Sequence, residues 1–204
     1  LAPMTMGASQ LCGFAKSDPS LETPDLQFHV APMSTDKLGG AALHKFPAFT
    51  PTVSNVRPTS RGYVRIESND TRNYPEINLN YLSTEKDRKI AVNSIKLTRE
   101  IVLKSKAFKP YYPEEMRPGI NLSDKEIIEE ISKFANTLFH PVGTCKMGND
   151  KMSVVNERLS AHGLEGLRVI DASIMPHITS GNTNAPTIMI AEKGADMILA
   201  DQKN

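Results

Sequence analysis

The chain has 204 residues, of which 39% are hydrophobic and 23% charged, an ordinary globular composition that can bury a sizeable core. Its 24 basic and 23 acidic side chains leave a formal charge of +1. No broad basic field would attract a nucleic acid or an anionic membrane, so neither is expected as a partner. The longest apolar runs are much shorter than the roughly 20 residues of a membrane span, so no transmembrane segment is predicted.

The two cysteines indicate the redox compartment of the protein, and the first residue indicates whether the sequence is a fragment. Cys12 and Cys145 stand 133 positions apart (145 − 12), which is no disulfide framework and is compatible with a reducing compartment such as the cytoplasm. The chain begins with Leu1, and its opening carries neither a start nor a targeting signal. We therefore expect a piece of a longer protein.

Strand patterns dominate the first 81 residues. Residues 1–25 are rich in Pro, Ser and Gly and predict a loop, as do residues 34–47 around Gly39-Gly40. Alternation of apolar and polar residues predicts strands, and the short turns between the later ones favour an antiparallel sheet. The strand segments are DLQFHVAPM (25–33), FTPTVSNV (49–56), GYVRIES (62–68) and EINLNY (76–81).

Two helices are predicted in the middle of the chain. Ser83-Thr84 precedes acidic residues and an apolar stripe that ends near residues 104–106, which predicts a long amphipathic helix. Ser123-Asp124-Lys125-Glu126 has the pattern of a capping box. It predicts a second helix carrying Ile127, Ile128, Ile131 and Phe134, and this helix would run directly to residue 139.

The final third has a different pattern. GLRVIDAS (166–173) predicts a short buried strand of the parallel type, whose carboxyl end carries Asp171. The segment 180–199 then predicts a helix with Asn184 as its N-cap and Pro186 in its first turn. The sequence offers no parallel partner for that strand.

His140 is the first candidate functional residue. It lies in FHPVGTCKMG (139–148), where Pro141 and Gly143 can shape a tight turn beside the ring. An imidazole can take and return a proton near neutral pH, so His140 could act as a general base. A histidine at the end of a helix can equally be a cap or a hydrogen-bonded core residue.

Asn182, Asn184 and Asp171 are further candidates. The two asparagines bracket Thr183 before the last helix. A helix N-terminus suits an anion or a ring that gains negative charge, although the same asparagines could simply cap the helix. Asp171 could accept from ribose or ribitol hydroxyls, or could cap the turn that follows it.

Several common catalytic motifs are absent from the sequence. It contains no GxSxG, GxxxxGK or GxGxxG, which excludes a serine-hydrolase elbow, a P-loop and a dinucleotide fingerprint within these residues. The five histidines and two cysteines form no close ligand pairs, so no metal site is predicted.

Three segments of the last third together resemble the C-terminal signature of the glucose-methanol-choline (GMC) oxidoreductases, which oxidise alcohols with FAD: HPVGTCKMG, HGLEGLRVIDASIMP and SGNTNAPTIMIAEKGADMI. RPTSRGYVRIES and YPEINLNYLS resemble the substrate-domain sheet of the same family. The implied fold is α+β, with a substrate-binding domain (1–138) of antiparallel sheet and helices. Residues 139–204 would supply the catalytic turn and a flavin-facing strand and helix that complete an FAD-binding α/β domain.

The resemblance also assigns roles to residues. It implies that His140 takes the proton of the alcohol hydroxyl near the flavin N5 and that Asn182 holds the hydroxyl oxygen. Asp171 and Ala172 would lie against the ribityl chain, and Thr183 and Asn184, with Asn182, would border the flavin ring. An asparagine at 182, where other members have a second histidine, implies a choline-dehydrogenase-like member.

One departure from the family leaves two interpretations open. The GxGxxG unit that holds the ADP half of FAD belongs to an N-terminal half that this sequence does not contain. We therefore expect that half to be a required partner, and the 204 residues alone to bind FAD weakly or not at all. The chain is either the substrate-binding and catalytic portion of an FAD-dependent alcohol dehydrogenase or oxidase, or a non-catalytic remnant or binding module.

Overall fold

The computed structural model describes residue 7, residues 9–36 and residues 42–202. Its residue contacts divide the chain into two compact units. The first is Leu1–Asn55 with Leu82–Asn136, and the second is Val56–Tyr81 with Thr137–Asn204. Every candidate site residue lies in the second unit. A functional boundary between residues 138 and 139 stays a prediction.

The first unit contains a three-stranded antiparallel sheet. Its strands are β1 (Leu11–Ala15), β2 (Leu26–Ala31) and β3 (Thr50–Asn55), in the order β1-β2-β3. The predicted strands at 25–33 and 49–56 are thus confirmed, and so is their antiparallel pairing. The loop predicted over 1–25 is wrong where β1 forms. The predicted loop around Gly39-Gly40 lies outside the described residues.

Strand β1 has no clear signal in the sequence. It is stabilised by hydrogen bonding to β2 rather than by burial of alternate side chains. Leu11 and Phe14 are more than half exposed, so β1 does not show the alternation of a half-buried strand. Its residues instead pair in register with β2, from Leu11 opposite Val30 to Ala15 opposite Leu26. Leu26 is completely buried, so β2 anchors the sheet in the core.

Helices pack against this sheet and against each other. Helix α1 (Glu85–Arg99) continues as a π-helix (Glu100–Lys104), and α2 (Asp124–Ile131) follows a short 3₁₀ turn (Lys109–Tyr111). The predicted starts of both helices are confirmed. Thr84 caps α1 by accepting from the Asp87 N–H, and the capping box at Ser123 and Glu126 is present.

Helix α2 is shorter than its apolar residues predicted. Ile127 and Ile131 are buried with Val92 in one core cluster, but Phe134 lies beyond the helix and is 41% exposed. No burial therefore supports another helical turn after Ile131. The expectation that this helix runs directly to residue 139 is wrong.

The second unit combines a two-stranded sheet with the last helix. Strands β4 (Tyr63–Arg65) and β5 (Glu76–Asn78) pair antiparallel, separately from the sheet of the first unit. A 3₁₀ turn (Ala172–Ile174) precedes α3 (Asn184–Asp201). The predicted strands at 62–68 and 76–81 are confirmed in their first halves, but they form their own sheet. The mixed helix and sheet class with antiparallel sheets is confirmed.

The strand predicted over 166–173 is absent. Its residues pair on one side only, where the Ala161 N–H donates to the Leu167 carbonyl and the Val169 N–H to the Leu159 carbonyl. A parallel strand needs a neighbour that continues the hydrogen-bond ladder, and no described strand lies beside this segment. Apolar residues from the segment nevertheless pack on the core of the second unit, which consists of Val155, Leu159, Ile174, Met175 and Ile190.

Helix α3 begins one residue earlier than its predicted cap implied. Thr183 occupies the N-cap position and Asn184 is the first helical residue, while Pro186 lies in the first turn as predicted. Along the helix, Gly194 is buried against the Ile170 side chain. Among the described residues, no helix has the length and apolar character needed to cross a membrane.

The contact at Gly194 yields a stability prediction. A Cβ there would lie 2.5 Å from Ile170 Cγ2, a methyl on a stiff β-branched side chain. Gly194→Ala gains about 1 kcal/mol of helix propensity but overpacks the contact by about 1–3 kcal/mol, so we expect a net loss of up to about 2 kcal/mol in urea denaturation. In an Ile170→Ala background the same change should be neutral or stabilising. Equal losses in both backgrounds would contradict the contact.

Candidate active site

The segment carrying His140 is held on the 3₁₀ turn that precedes the last helix. The Cys145 N–H donates to the Ser173 carbonyl at 3.0 Å, and the Met147 N–H donates to the Ile174 carbonyl at 2.8 Å. Gly143 has a φ of +90°, and a Cβ there would lie 3.2 Å from the Met175 carbonyl oxygen. Glycine is therefore needed at this position for both its left-handed backbone and its close approach.

The two catalytic candidates meet at the N-terminus of α3. Asn182 Nδ2 lies 2.7 Å from His140 Nε2, although the two residues are 42 positions apart in sequence. The imidazole is half-buried and the amide is exposed. The structure therefore brings together the imidazole and the amide that the sequence singled out.

Thr183 holds the other side of the imidazole ring. Its Oγ1 lies 3.0 Å from His140 Nδ1, and its backbone N–H points at the same nitrogen from 3.4 Å. Thr183 is only 7% exposed. Sequence reasoning assigned this residue to the flavin edge and missed its contact with the histidine, because no local pattern reports a pairing 43 residues apart.

Both segments that form the site carry left-handed backbone at residues other than glycine. Phe139, directly before His140, has a φ of 62°, and Ser180, two residues before Asn182, has a φ of 63°. Such conformations cost about 1–3 kcal/mol each and are retained where the surrounding structure requires them. The Phe139 side chain is 71% exposed, so it is not held there by burial.

The remaining cofactor candidates lie nearby in the chain but have separate local roles. Asp171 accepts from the Ser173 N–H at 2.7 Å and caps the 3₁₀ turn that begins at Ala172. Its side chain is exposed, and so is that of Asn184 at the start of α3. The capping alternative for Asp171 therefore holds, and its exposure leaves the carboxylate accessible to a ligand.

Arginines from the segment before β4 bind the loop that leads to Asn182. Arg57 Nε donates to Ser180 Oγ at 2.9 Å, and an Arg61 terminal nitrogen lies 2.6 Å from His177 Nδ1. Because a guanidinium can only donate, His177 Nδ1 is the acceptor. These two contacts join the β4–β5 segment to the site loop, and no sequence pattern predicted them.

The turn that follows the catalytic segment is stabilised by an ion pair. Lys146 Nζ lies 2.8 Å from Asp150 Oδ2. This hydrogen bond, with others from the Met152 N–H and the Ser153 hydroxyl, lowers the pKa of Asp150 to about 2. The carboxylate is thus charged throughout the pH range in which a histidine titrates. Within the described part of the chain, no three metal-ligating side chains form a cluster.

The arrangement can bind one oxygen from two sides. An imidazole nitrogen and an amide nitrogen that lie 2.7 Å apart can both reach one hydroxyl oxygen placed beside them, at about 2.6–3.2 Å from each. The adjoining helix N-terminus carries about half a positive charge and favours a negatively charged group. The site therefore combines a proton acceptor and a hydrogen-bond donor beside a helix N-terminus.

Comparisons with known proteins identify the family of the chain. A family model described as GMC oxidoreductase matches residues 58–191. The matched region covers well over half of the chain and includes His140, Asp171, Ala172, Asn182, Thr183 and Asn184. The chain belongs to the GMC oxidoreductases.

Curated relatives extend the match to almost the whole chain. An oxygen-dependent choline dehydrogenase of Pseudomonas fluorescens (strain SBW25) is 45% identical over 193 residues, which are 93% of this chain and 33% of the relative. A protein of the same name from Escherichia coli (strain K12) is 46% identical over 187 residues, 91% of this chain and 33% of the relative. The chain spans about a third of the length of the curated relatives it matches.

Solved structures share the fold. The chain resembles a pyridoxine 4-oxidase from Mesorbium loti with a TM-score of 0.80 and 28% identity, over 91% of this chain and 36% of that one. It resembles a variant of formate oxidase from Aspergillus oryzae RIB40, studied for FAD modification, with a TM-score of 0.81 and 30% identity, over 90% and 33% of the two chains.

The turn at Gly143 can be tested against a matched glycine. Gly143→Ala should lose about 1–3 kcal/mol of unfolding free energy, because alanine disfavours a positive φ and its Cβ would crowd the Met175 carbonyl. Gly163 has a φ of +73°, and a Cβ at that position would meet nothing within 4 Å, so Gly163→Ala carries only the backbone cost. Chemical denaturation should show the larger loss at Gly143. A larger loss at Gly163 would contradict the close approach.

Proposed function

We propose that this chain is the substrate-binding and catalytic portion of a flavoprotein that oxidises the CH–OH group of an alcohol. In this proposal His140 Nε2 accepts the proton of the alcohol hydroxyl, and Asn182 Nδ2 donates a hydrogen bond to the hydroxyl oxygen. The observation that carries the proposal is the 2.7 Å contact between these two atoms at the N-terminus of α3.

FAD fits the residues of this site. Bound FAD would supply the acceptor for the hydride that leaves the carbinol carbon. The N-terminus of α3, with Asn182 and Asn184 exposed beside Thr183, suits a ring edge that becomes negative on reduction. The exposed Asp171 carboxylate, followed by the small Ala172, suits the hydroxyls of a ribityl chain. A solved relative from Chaetomium thermophilum, 26% identical with a TM-score of 0.73, is named an FAD-dependent oxidoreductase.

The rest of the FAD site would come from the N-terminal half that the sequence lacks. The matched relatives are about three times as long, and the chain corresponds to a third of each. We propose that this half supplies the GxGxxG unit and the parallel strands beside residues 167–170, whose second edge is unpaired in the described sheets. A cytoplasmic location stays a prediction from the two unpaired cysteines.

The names of the relatives suggest the first substrate to test. Both curated relatives above are named oxygen-dependent choline dehydrogenase. We therefore propose choline or a similar small alcohol as the substrate. Anaerobic flavin reduction by a panel of alcohols in the complete flavoprotein would rank choline against neutral and anionic alcohols.

The role of His140 predicts a large effect on turnover. His140→Ala in the complete flavoprotein should lower alcohol turnover by about 10² to 10⁴ while the flavin stays bound, because a positioned base contributes this much to proton transfer. Stopped-flow flavin reduction measures the step directly. The control is His162→Ala, since His162 Nε2 lies 2.9 Å from the Gly148 carbonyl oxygen, a loop contact that involves neither catalytic candidate. Wild-type turnover in His140→Ala would refute the assignment.

The role of Asn182 predicts a slower reductive step. Asn182→Ala removes the amide donor to the alcohol oxygen, so kcat for flavin reduction should fall together with kcat/KM. The loss should be smaller than for His140→Ala, since the base remains. A rise in KM with unchanged kcat would demote Asn182 to a binding residue.

The alternative proposal, a non-catalytic remnant, makes the opposite predictions. A remnant would show no flavin reduction with any alcohol, and its gene would have a start codon directly before the codon for Leu1. An in-frame GxGxxG unit upstream supports the enzyme instead.

A further inference from the structure

We propose that Thr183 fixes the tautomer of His140. In this proposal Thr183 Oγ1 accepts a hydrogen bond from His140 Nδ1–H, so that Nε2 keeps its lone pair on the side of Asn182. Thr183 is then a positioning residue for the base rather than a flavin contact alone. The consequence for turnover rests on the function proposed above, but the tautomer itself does not.

The chemistry of a neutral imidazole makes the tautomer decisive. One ring nitrogen carries the proton and the other has the free lone pair. A base that takes a proton from a hydroxyl must present the bare nitrogen to it. The protonated nitrogen on the far side of the ring then needs an acceptor, and that acceptor sets which tautomer is populated.

Two short contacts are satisfied together by the Nδ1–H tautomer. The Asn182 Nδ2 group can only donate, and it lies 2.7 Å from Nε2, so Nε2 accepts. Nδ1 must then carry the proton, and Thr183 Oγ1 lies 3.0 Å from it. Both distances lie in the usual range for a hydrogen bond.

The third contact at the ring is the weakest. The Thr183 backbone N–H points at Nδ1 from 3.4 Å, which is beyond the usual range of about 2.7–3.2 Å. The opposite tautomer would use this contact, but it would set the Nε2–H against the Asn182 amide donor at 2.7 Å unless that amide turned over. The two tautomers thus differ in one observable, the nitrogen that carries the proton.

The position of Thr183 supports a role of its hydroxyl at His140 rather than as a helix cap. A threonine at an N-cap usually accepts from a backbone N–H of the first turn, but the Thr183 side chain makes no such bond. Its hydroxyl contacts His140 instead. Because Thr183 is 7% exposed, water does not readily replace this acceptor.

The tautomer can be read by NMR on the chain itself. We would label histidines with ¹⁵N, assign His140 from the spectrum of His140→Gln, and record ring correlations at about pH 9, above the range in which imidazoles ordinarily titrate. The variants are Thr183→Val, which keeps the side-chain shape without the hydroxyl, and Thr183→Ser, which keeps the hydroxyl. Thr187→Val is the matched control, since Thr187 Oγ1 donates to the Thr183 carbonyl at 2.6 Å on the same helix turn.

The expected result is a protonated Nδ1 in the wild type, Thr183→Ser and Thr187→Val, and a shift towards a protonated Nε2 in Thr183→Val. In the complete flavoprotein, Thr183→Val should lower kcat for flavin reduction by about 10- to 100-fold, with recovery in Thr183→Ser. A protonated Nε2 in the wild type would overturn the proposal even if Thr183→Val failed to fold. An unchanged tautomer in folded Thr183→Val would overturn it too. Full activity of His140→Ala would defeat the proposed function and leave the tautomer assignment standing.

Discussion

The short contact between His140 and Asn182 is the constraint on which this site depends. It joins a turn that begins at residue 140 to the N-terminus of a helix that begins at residue 184, and neither segment is regular structure at the point of contact. Backbone hydrogen bonds from Cys145 and Met147 hold the His140 segment on the 3₁₀ turn that precedes α3. Ile174 of the 3₁₀ turn and Ile190 of α3 belong to the same core cluster, so the arrangement of the site depends on the packing of the second unit.

The contact also helps to set the orientation and the protonation of the imidazole ring. An imidazole held on both nitrogens has its plane and its protonation pattern set before any ligand arrives, and a bound alcohol would then take the place of the Asn182 amide as the partner of Nε2. Thr183 and Asn182 are neighbours in sequence, so one helix N-terminus supplies both partners of the ring. A small displacement of α3 would therefore disturb the base and the oxygen-binding amide together.

Sequence patterns predicted most of the fold where an element carries its own burial or capping signal. Strand β2, the caps at Thr84 and Ser123 and the last helix are such elements. The missed elements depend on partners: β1 forms by pairing with β2, and the segment 166–173 lacks the neighbouring strand that its pattern requires. The pairing of His140 with Asn182 followed from family motifs, whereas the Thr183 hydroxyl contact needed coordinates, since its N-cap position suggested a bond to the helix backbone.

The central claim is that one alcohol oxygen can be bound by the imidazole and the amide at once. The most direct measurement is a crystal structure of the complete flavoprotein with a non-reacting alcohol analogue. We predict the analogue oxygen at about 2.6–3.2 Å from both His140 Nε2 and Asn182 Nδ2. An analogue oxygen that contacts neither atom, with the two side chains apart, would contradict this claim.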